Sequence, residues 1–319
     1  MSCINSTAKP QRAVASASGG ASRRPRLGWL AALSLLAGLC ASQPASAQDA
    51  AALRARQIEL RDELAASAFG QPLVLESVQR DDRLRGEIFA LVAASFTAAA
   101  AALQPPQAWC DILMLHLNVK GCQVRGTASL PRLEVALGHK HDQQLADAFA
   151  LDFGYRVLAS RPDYLALQLE APEGPFGTRD YRIALELAPA AGGGSLLHLA
   201  YSYRYGLVAR LALQGYLATL GRGKVGFSVV GREADGSPDH VGGVRGVVER
   251  NTMRYYLALE AFLGALALPP GLQAERRLQA WFDSSERYPR QLHELDRADY
   301  LAMKRRELAR LQAGNSASR

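Results

Sequence analysis

Between residues 133 and 205 the chain repeats one pattern five times, and few folds accommodate it. Segments 133–137, 149–158, 164–169, 181–187 and 196–205 carry period-two apolar alternation, the signature of a strand with one buried face. Turn chemistry separates them: Arg161-Pro162-Asp163, then Pro172-Glu173-Gly174-Pro175, then Pro189 with Gly192-Gly193-Gly194. Connections this short join antiparallel neighbours, because a parallel crossover needs a dozen or more residues. The pattern predicts an antiparallel meander.

What flanks the meander narrows the class further. Residues 72–79 and 84–92 read as a hairpin across Arg80-Asp81-Asp82. Ser95 is placed to cap a helix running to Leu103. Pro105-Pro106 interrupts it before a second short helical stretch, 107–117, bearing Trp109, Ile112, Leu113 and Leu115, and a strand begins near Val119. Beyond the meander, 207–220 reads as helix, 225–230 as a further strand and 236–246 as a glycine-rich turn. A long helix opens at Val244 or Val247 and runs to Leu268, where Pro269-Pro270 stops it. Its stripe of Val248, Thr252, Tyr255, Leu259, Phe262 and Leu266 has the three-and-four spacing of a face lying on a core.

Hairpin, two short helices, antiparallel strands and a closing helix form an order that resembles the helix-grip fold of the START-like (SRPBCC) superfamily. The resemblance spans residues 72–268 and is carried by the Gly86-Glu87-Ile88 strand, the helical turn at Trp109 and the closing helix with Tyr255 and Tyr256. It implies an α+β fold in which a curved antiparallel sheet grips a long C-terminal helix. It also implies an apolar cavity between the two, suited to a lipid or polyketide-like molecule. The chain departs from the pattern at 207–243, an insertion before the closing helix, and in two helical extensions. We divide it into 1–47, an N-terminal helix at 48–70, the helix-grip domain at 71–268 and a charged helical extension at 269–319.

Residues 1–47 read as an export leader. Arg23, Arg24 and Arg26 precede an apolar run from Leu27 to Leu39, and Ala45-Ser46-Ala47 supplies a small-residue cleavage site. The run is too short to cross a bilayer, which takes about 20 residues, so no membrane span is expected. A periplasmic or secreted location follows. Five of the 37 basic residues and none of the 30 acids lie in this leader, so the remainder is nearly neutral. The basic balance is therefore no argument for a nucleic-acid partner.

Cys3 and Cys40 fall within the leader. Leu39 before Cys40 argues against a lipoprotein signal, and Pro25-Arg26 after Arg23-Arg24 argues against twin-arginine export. Cys110 and Cys122 remain, and in an oxidising compartment they read as a disulfide. The rival role as metal or reactive thiols lacks partners at suitable spacing, His116 alone being no constellation.

No G-x-S-x-G elbow, H-E-x-x-H helix or C-x-x-C pair is present. Gly221-Arg222-Gly223-Lys224-Val225-Gly226 matches a dinucleotide fingerprint only in letters, because a helix precedes it and a strand follows. His139 and His141 share a face when extended, with Asp142 or Asp147 nearby, but lack a clear third ligand. No metal or cofactor is assigned. In 196–205, Tyr201, Tyr203 and Tyr205 share one face, and His198, Ser202 and Arg204 share the other. Asn251 lies one turn from Tyr255, and Arg250 and Arg254 have no acid three or four residues away.

The candidate ligand residues are Trp109, Tyr201, Tyr203, Tyr205, Asn251 and Tyr255; no catalytic residue is assigned. A carrier or sensor of a hydrophobic small molecule is the favoured class. An enzyme doing acid–base chemistry in the same cavity is the alternative, as a cyclase, dehydratase or hydrolase. The third reading is partner docking. The mixed-charge segment 286–310 reads as a solvated extension or an arm over a neighbouring surface, with a protein or membrane-surface contact as its other reading.

Overall fold

The computed structural model describes residues 50–317 apart from Leu220. The expected leader at 1–47 lies outside the described residues. Strands β1 (Leu73–Arg80) and β2 (Arg83–Val92) form the hairpin, with Asp81 in the left-handed region at its turn. Helix α3 (Phe96–Leu103) starts at Ser95, whose hydroxyl accepts from the Ala98 amide, and α4 (Pro106–Leu113) follows. Six strands complete the sheet: β3 (Val119–Thr127), β4 (Leu130–Leu137), β5 (Phe149–Arg161), β6 (Tyr164–Glu173), β7 (Thr178–Pro189) and β8 (Ser195–Tyr205).

All neighbours in the sheet are antiparallel, in the order β1-β2-β8-β7-β6-β5-β4-β3. Helices α3 and α4 carry the chain from β2 to the far edge. The meander then returns strand by strand until β8 lies beside β2, with Ile88 opposite Leu199. The meander and the hairpin expected from the alternation are both present.

Helix α6 (Gly243–Gly264) lies across the inner face, over β1, β2 and β8. It approaches the sheet closely at Gly86 on β2, where an added Cβ would collide with the Thr252 side chain. Glycine at this strand position lets helix and sheet touch. The main core fills the space beneath α6, with Ile88, Leu167, Leu185, Leu199, Val248 and Leu259 all buried. Its buried surface extends well beyond the expected stripe, because α7 (Pro270–Ser285) covers its far side and Trp281 donates to the Arg254 carbonyl.

A second core lies on the outer face of the sheet. Helices α1 (Ala50–Glu59) and α2 (Arg61–Ala65) bury Leu53, Leu60 and Leu64 against Val74, Phe89, Tyr164 and Leu196. Both faces are thus covered over part of their area, which explains why β6 and β8 are buried along nearly their whole length.

Two expectations need correction. The strand expected at 225–230 begins only at Val229: β9 (Val229–Arg232) pairs with β10 (Pro238–His240), inside the segment expected to be turn. The cause is tertiary. The Phe227 and Ser228 amides both donate to the buried Glu249 carboxylate, at 2.6 and 2.9 Å, and the Gly226 amide donates to the Val241 carbonyl. Those donors are unavailable to a ladder, or to a phosphate at the glycine motif.

Nor is 286–310 a solvated extension along its length. After α8 (Pro289–Leu292), helix α9 (Arg297–Ala317) packs against β3 and α7, burying Tyr300, Leu301, Met303, Lys304 and Glu307. Glu307 bonds both Lys120 (3.1 Å) and Lys304 (2.8 Å), and Lys304 also donates to the His116 and Val119 carbonyls at 2.7 Å. Paired charges can be buried where single ones cannot. Cys110 and Cys122 are joined, tying α4 to β3.

Candidate functional site

Period-two geometry puts Tyr201, Tyr203 and Tyr205 on the inner face of β8, all buried. Tyr201 is flanked in register by Gly86 and Ile183, so its ring has room beneath α6. Tyr255 reaches it from the helix with ring centroids 5.1 Å apart. Tyr203 lies 5.6 Å from Tyr201 and stacks on Tyr181 at 5.2 Å. His116, from the turn after α4, stands 5.1 Å from Tyr255. Four tyrosines and one histidine thus form a continuous aromatic group between sheet and helix, at spacings typical of favourable ring pairs.

The polar atoms of this group set it apart. Tyr181 donates to Thr178 Oγ1 at 2.9 Å. The hydroxyls of Tyr201, Tyr203 and Tyr255 make no hydrogen bond among the described residues. His116 Nδ1 accepts from the Asn118 amide at 3.2 Å, which places the ring proton on Nε2, and buried Nε2 has no partner. Burial, then the cations of Arg254, Lys304, Lys140 and Lys120, push the His116 pKa well below its ordinary value, so the ring is neutral. Burial also pushes the Tyr201, Tyr203 and Tyr255 phenols up, so they are neutral donors. Leaving the buried His116 Nε2 donor unpaired costs about 1–3 kcal/mol.

The other candidates do not join this group. Tyr205 lies at the end of the sheet, its hydroxyl bonded to Gln79 (3.0 Å) and the Asp81 carbonyl. Trp109 is buried in the α3–α4 corner, its indole N–H donating to the Leu103 carbonyl at 3.0 Å. Half-buried Asn251 accepts from Arg254 at 3.4 Å. The acid missing near Arg254 comes from the C-terminal extension: Glu294 bonds it at 2.8 Å. Arg250 donates to the Val225 carbonyl. Tyr181 and His116, by contrast, belong to the group and were not among the candidates. Tyr181 could have been found from its inner-face parity in the meander; lone His116 offered no such signal.

The outer face carries a different chemistry. A trough of about 770 Å³ there is lined by Arg83, Arg85, Arg132, Arg156, Arg182 and Arg204 among others, with Glu170 and Asp180. Carboxylates occupy most of these guanidiniums: Glu87 holds Arg85 along β2, Asp152 holds Arg132 and Glu170 holds both Arg156 and Arg182 across strands, and Asp82 in the hairpin turn holds Arg204. Deeper, His198 sits between Glu186 (2.6 Å) and Glu87 (3.0 Å) and stacks on Phe89, while Tyr164 donates to Glu186. Burial opposes charge on His198, but bonds to the two carboxylates outweigh it and raise its pKa. Glu87 is likewise penalised by burial, yet His198 and Arg85 bring it down to about 2. This cluster is a buried ion-pair network beneath α1.

The strand order, the helical crossing and the gripped α6 define a helix-grip domain of START-like architecture. No family model matches the chain, and no curated protein matches it. Solved structures similar to it include a StAR-related lipid transfer protein from Xanthomonas axonopodis, 11% identical over 60% of this chain and 92% of that one, with a TM-score of 0.35. Norcoclaurine synthase from Thalictrum flavum is 11% identical over 47% and 82%, at 0.29. A conserved protein of unknown function from Enterococcus faecalis is 8% identical over 79% and 97%, at 0.30.

Proposed function

We propose that this protein, exported by its N-terminal leader into a disulfide-forming compartment, binds a small apolar molecule carrying a hydrogen-bond acceptor between β8 and α6. One observation carries the reading. His116 Nε2, buried without a hydrogen-bond partner among the described residues, converges with the neutral hydroxyls of Tyr201, Tyr203 and Tyr255, which make no hydrogen bond there either. Flat ring walls with a few convergent donors are what a small-molecule site requires. The rings stand 5–6 Å apart, so a guest enters by parting them, which favours one that is flat or linear. Trp109, Tyr205 and Asn251 have partners of their own away from this group and are not assigned to the guest.

Native mass spectrometry of the gently purified protein tests this. A co-purifying small molecule is expected, and Tyr203→Phe, which removes one donor and no bulk, should weaken its binding about three- to tenfold. The reading fails if nothing co-purifies and no fatty acid or aromatic compound raises the melting temperature. A second reading rests on the neutral His116 beside Tyr255: donors so arranged also stabilise a developing oxyanion. A compound returned with altered mass would support that enzymatic role.

A further inference from the structure

Helix α5 (Leu207–Ala218), between β8 and the β9–β10 hairpin, is apolar almost throughout yet buries little of itself. Leu207, Val208 and Leu211 are 72%, 64% and 59% exposed, and Ala209 is its buried anchor. Beside it lies the turn Pro175–Gly177, where Phe176 is 69% exposed. Phe176 has φ 57°, a left-handed conformation that a bulky side chain adopts at a cost. An exposed phenylalanine held in a strained turn next to three exposed aliphatic residues is not explained by packing within this chain. Grouped apolar exposure of this kind marks an interaction surface.

Charge selects the partner. From residue 206 to 232 the chain contains Arg210, Arg222, Lys224 and Arg232 and no acid. Arg210 lies over the Tyr205 ring at the start of α5. Arg179 and Arg204, near the adjoining end of the outer trough, share the carboxylate of Asp82; Arg204 also pairs with Asp180 at 3.7 Å, and Glu173 lies opposite Arg179 in the sheet. Arg83, which also lines the trough, makes no hydrogen bond or ion pair among the described residues. An apolar helix within an acid-free cationic segment suits the interface of an anionic bilayer, where side chains enter the acyl boundary and guanidiniums meet phosphates.

We propose that α5 and Phe176 dock this protein onto the surface of an anionic lipid bilayer. The proposal is independent of the inner-face ligand site. Flotation of the purified protein with phosphatidylcholine vesicles, with and without phosphatidylglycerol, tests it. Association is expected only with the anionic vesicles and should weaken as salt rises. Leu207→Ser with Leu211→Ser should reduce it about tenfold or more, with circular dichroism and melting unchanged because both residues are exposed. Phe176→Asn separates docking from structure: asparagine is at ease at positive φ, so melting should hold or rise while vesicle binding falls. Wild-type protein that stays with neither vesicle, or variants that float like wild type, would overturn the proposal. So would a lipid-free dimer, seen by analytical ultracentrifugation, that the leucine substitutions dissociate, since the patch would then belong to a second copy.

Discussion

Reducing the Cys110–Cys122 bond should lower stability through the unfolded chain rather than through the native contacts. The two residues are 12 apart, with Cα atoms 5.2 Å from one another, and in the chain-entropy model closing a loop of that size contributes about 3 kcal/mol. Around it the native segment has other anchors. Tyr300 donates to the Leu115 carbonyl, Lys304 to those of His116 and Val119, and Lys120 to that of Leu117. With α4 and β3 so held, the reduced protein keeps its fold and loses mainly the constraint on its denatured ensemble. At roughly 2.1 cal/mol/K of unfolding entropy per residue, a domain of this size should melt about 5 °C lower. Calorimetry with and without reductant measures the shift, with thiol titration confirming reduction. The denaturant m-value should rise, because the unlinked chain exposes more surface. Equal melting of the two forms would refute the cross-link's role. A shift confined to fast amide exchange in α4 and β3 would show instead that the bond acts on the native state.

Glu307→Gln should be among the most damaging single changes. It leaves Lys120 and Lys304 fully buried without their carboxylate, at a cost of about 3–5 kcal/mol, readable by urea denaturation. Burial already brings Lys304 down to about 8. A folded-state lysine pKa below the unfolded one means the unfolded chain binds more protons, so the variant should recover stability as pH rises above 8. The outer-face network predicts a different profile. His198 has a raised folded pKa, so its contribution is complete below the ordinary 6.5 and fades as pH climbs through the higher folded value. Glu87, lowered from 4.5 to about 2, contributes fully above 4.5 and loses its effect as pH falls toward 2. Melting curves should therefore peak between about pH 4.5 and 6.5 for this network, and His198→Gln should flatten the alkaline fall; an unchanged alkaline limb would refute the pairing.

Much of the sheet was legible because alternation alone decides which side chains face inward. The same parity that buries Leu197 and Leu199 also buries Tyr201 and Tyr203, so two of the five rings could be read from one strand. His116 could not. Its neutrality comes first from burial and then from the charges of Arg254 and Lys304, the latter on α9, more than 180 residues along the chain. The displaced β9 has a similar origin: Val225, Phe227, Val229 and Val230 look like a strand until Glu249 takes two of the amides. Helix α9 misled for a related reason. A lysine and a glutamate three residues apart signal solvent unless a second lysine, here Lys120 on β3, arrives from elsewhere. Local pattern fixes periodicity and face; charge partners from distant segments fix what becomes buried.

Two of the buried charge networks lie where the helical extensions meet the sheet. Beneath α1, Glu87, His198 and Glu186 form one, with Arg56 reaching from the helix to Glu76 and over the Phe89 ring. Under α9, Lys120, Lys304 and Glu307 form the other, along β3 at the edge of the sheet. Apolar residues in the same places would pack as stably or more so, so stability alone does not account for them. An apolar helix can slide by a turn over an apolar sheet at little cost. A helix carrying Glu307 between two lysines cannot, because a one-turn slip leaves three charges buried and unpaired. An uncovered edge strand is also open to pairing with another chain. The α9 network therefore fixes one register for the helix that covers β3, while the α1 network fixes the cap on the outer face. Helix α5 has no such network beneath it, consistent with a helix whose partner lies outside the chain.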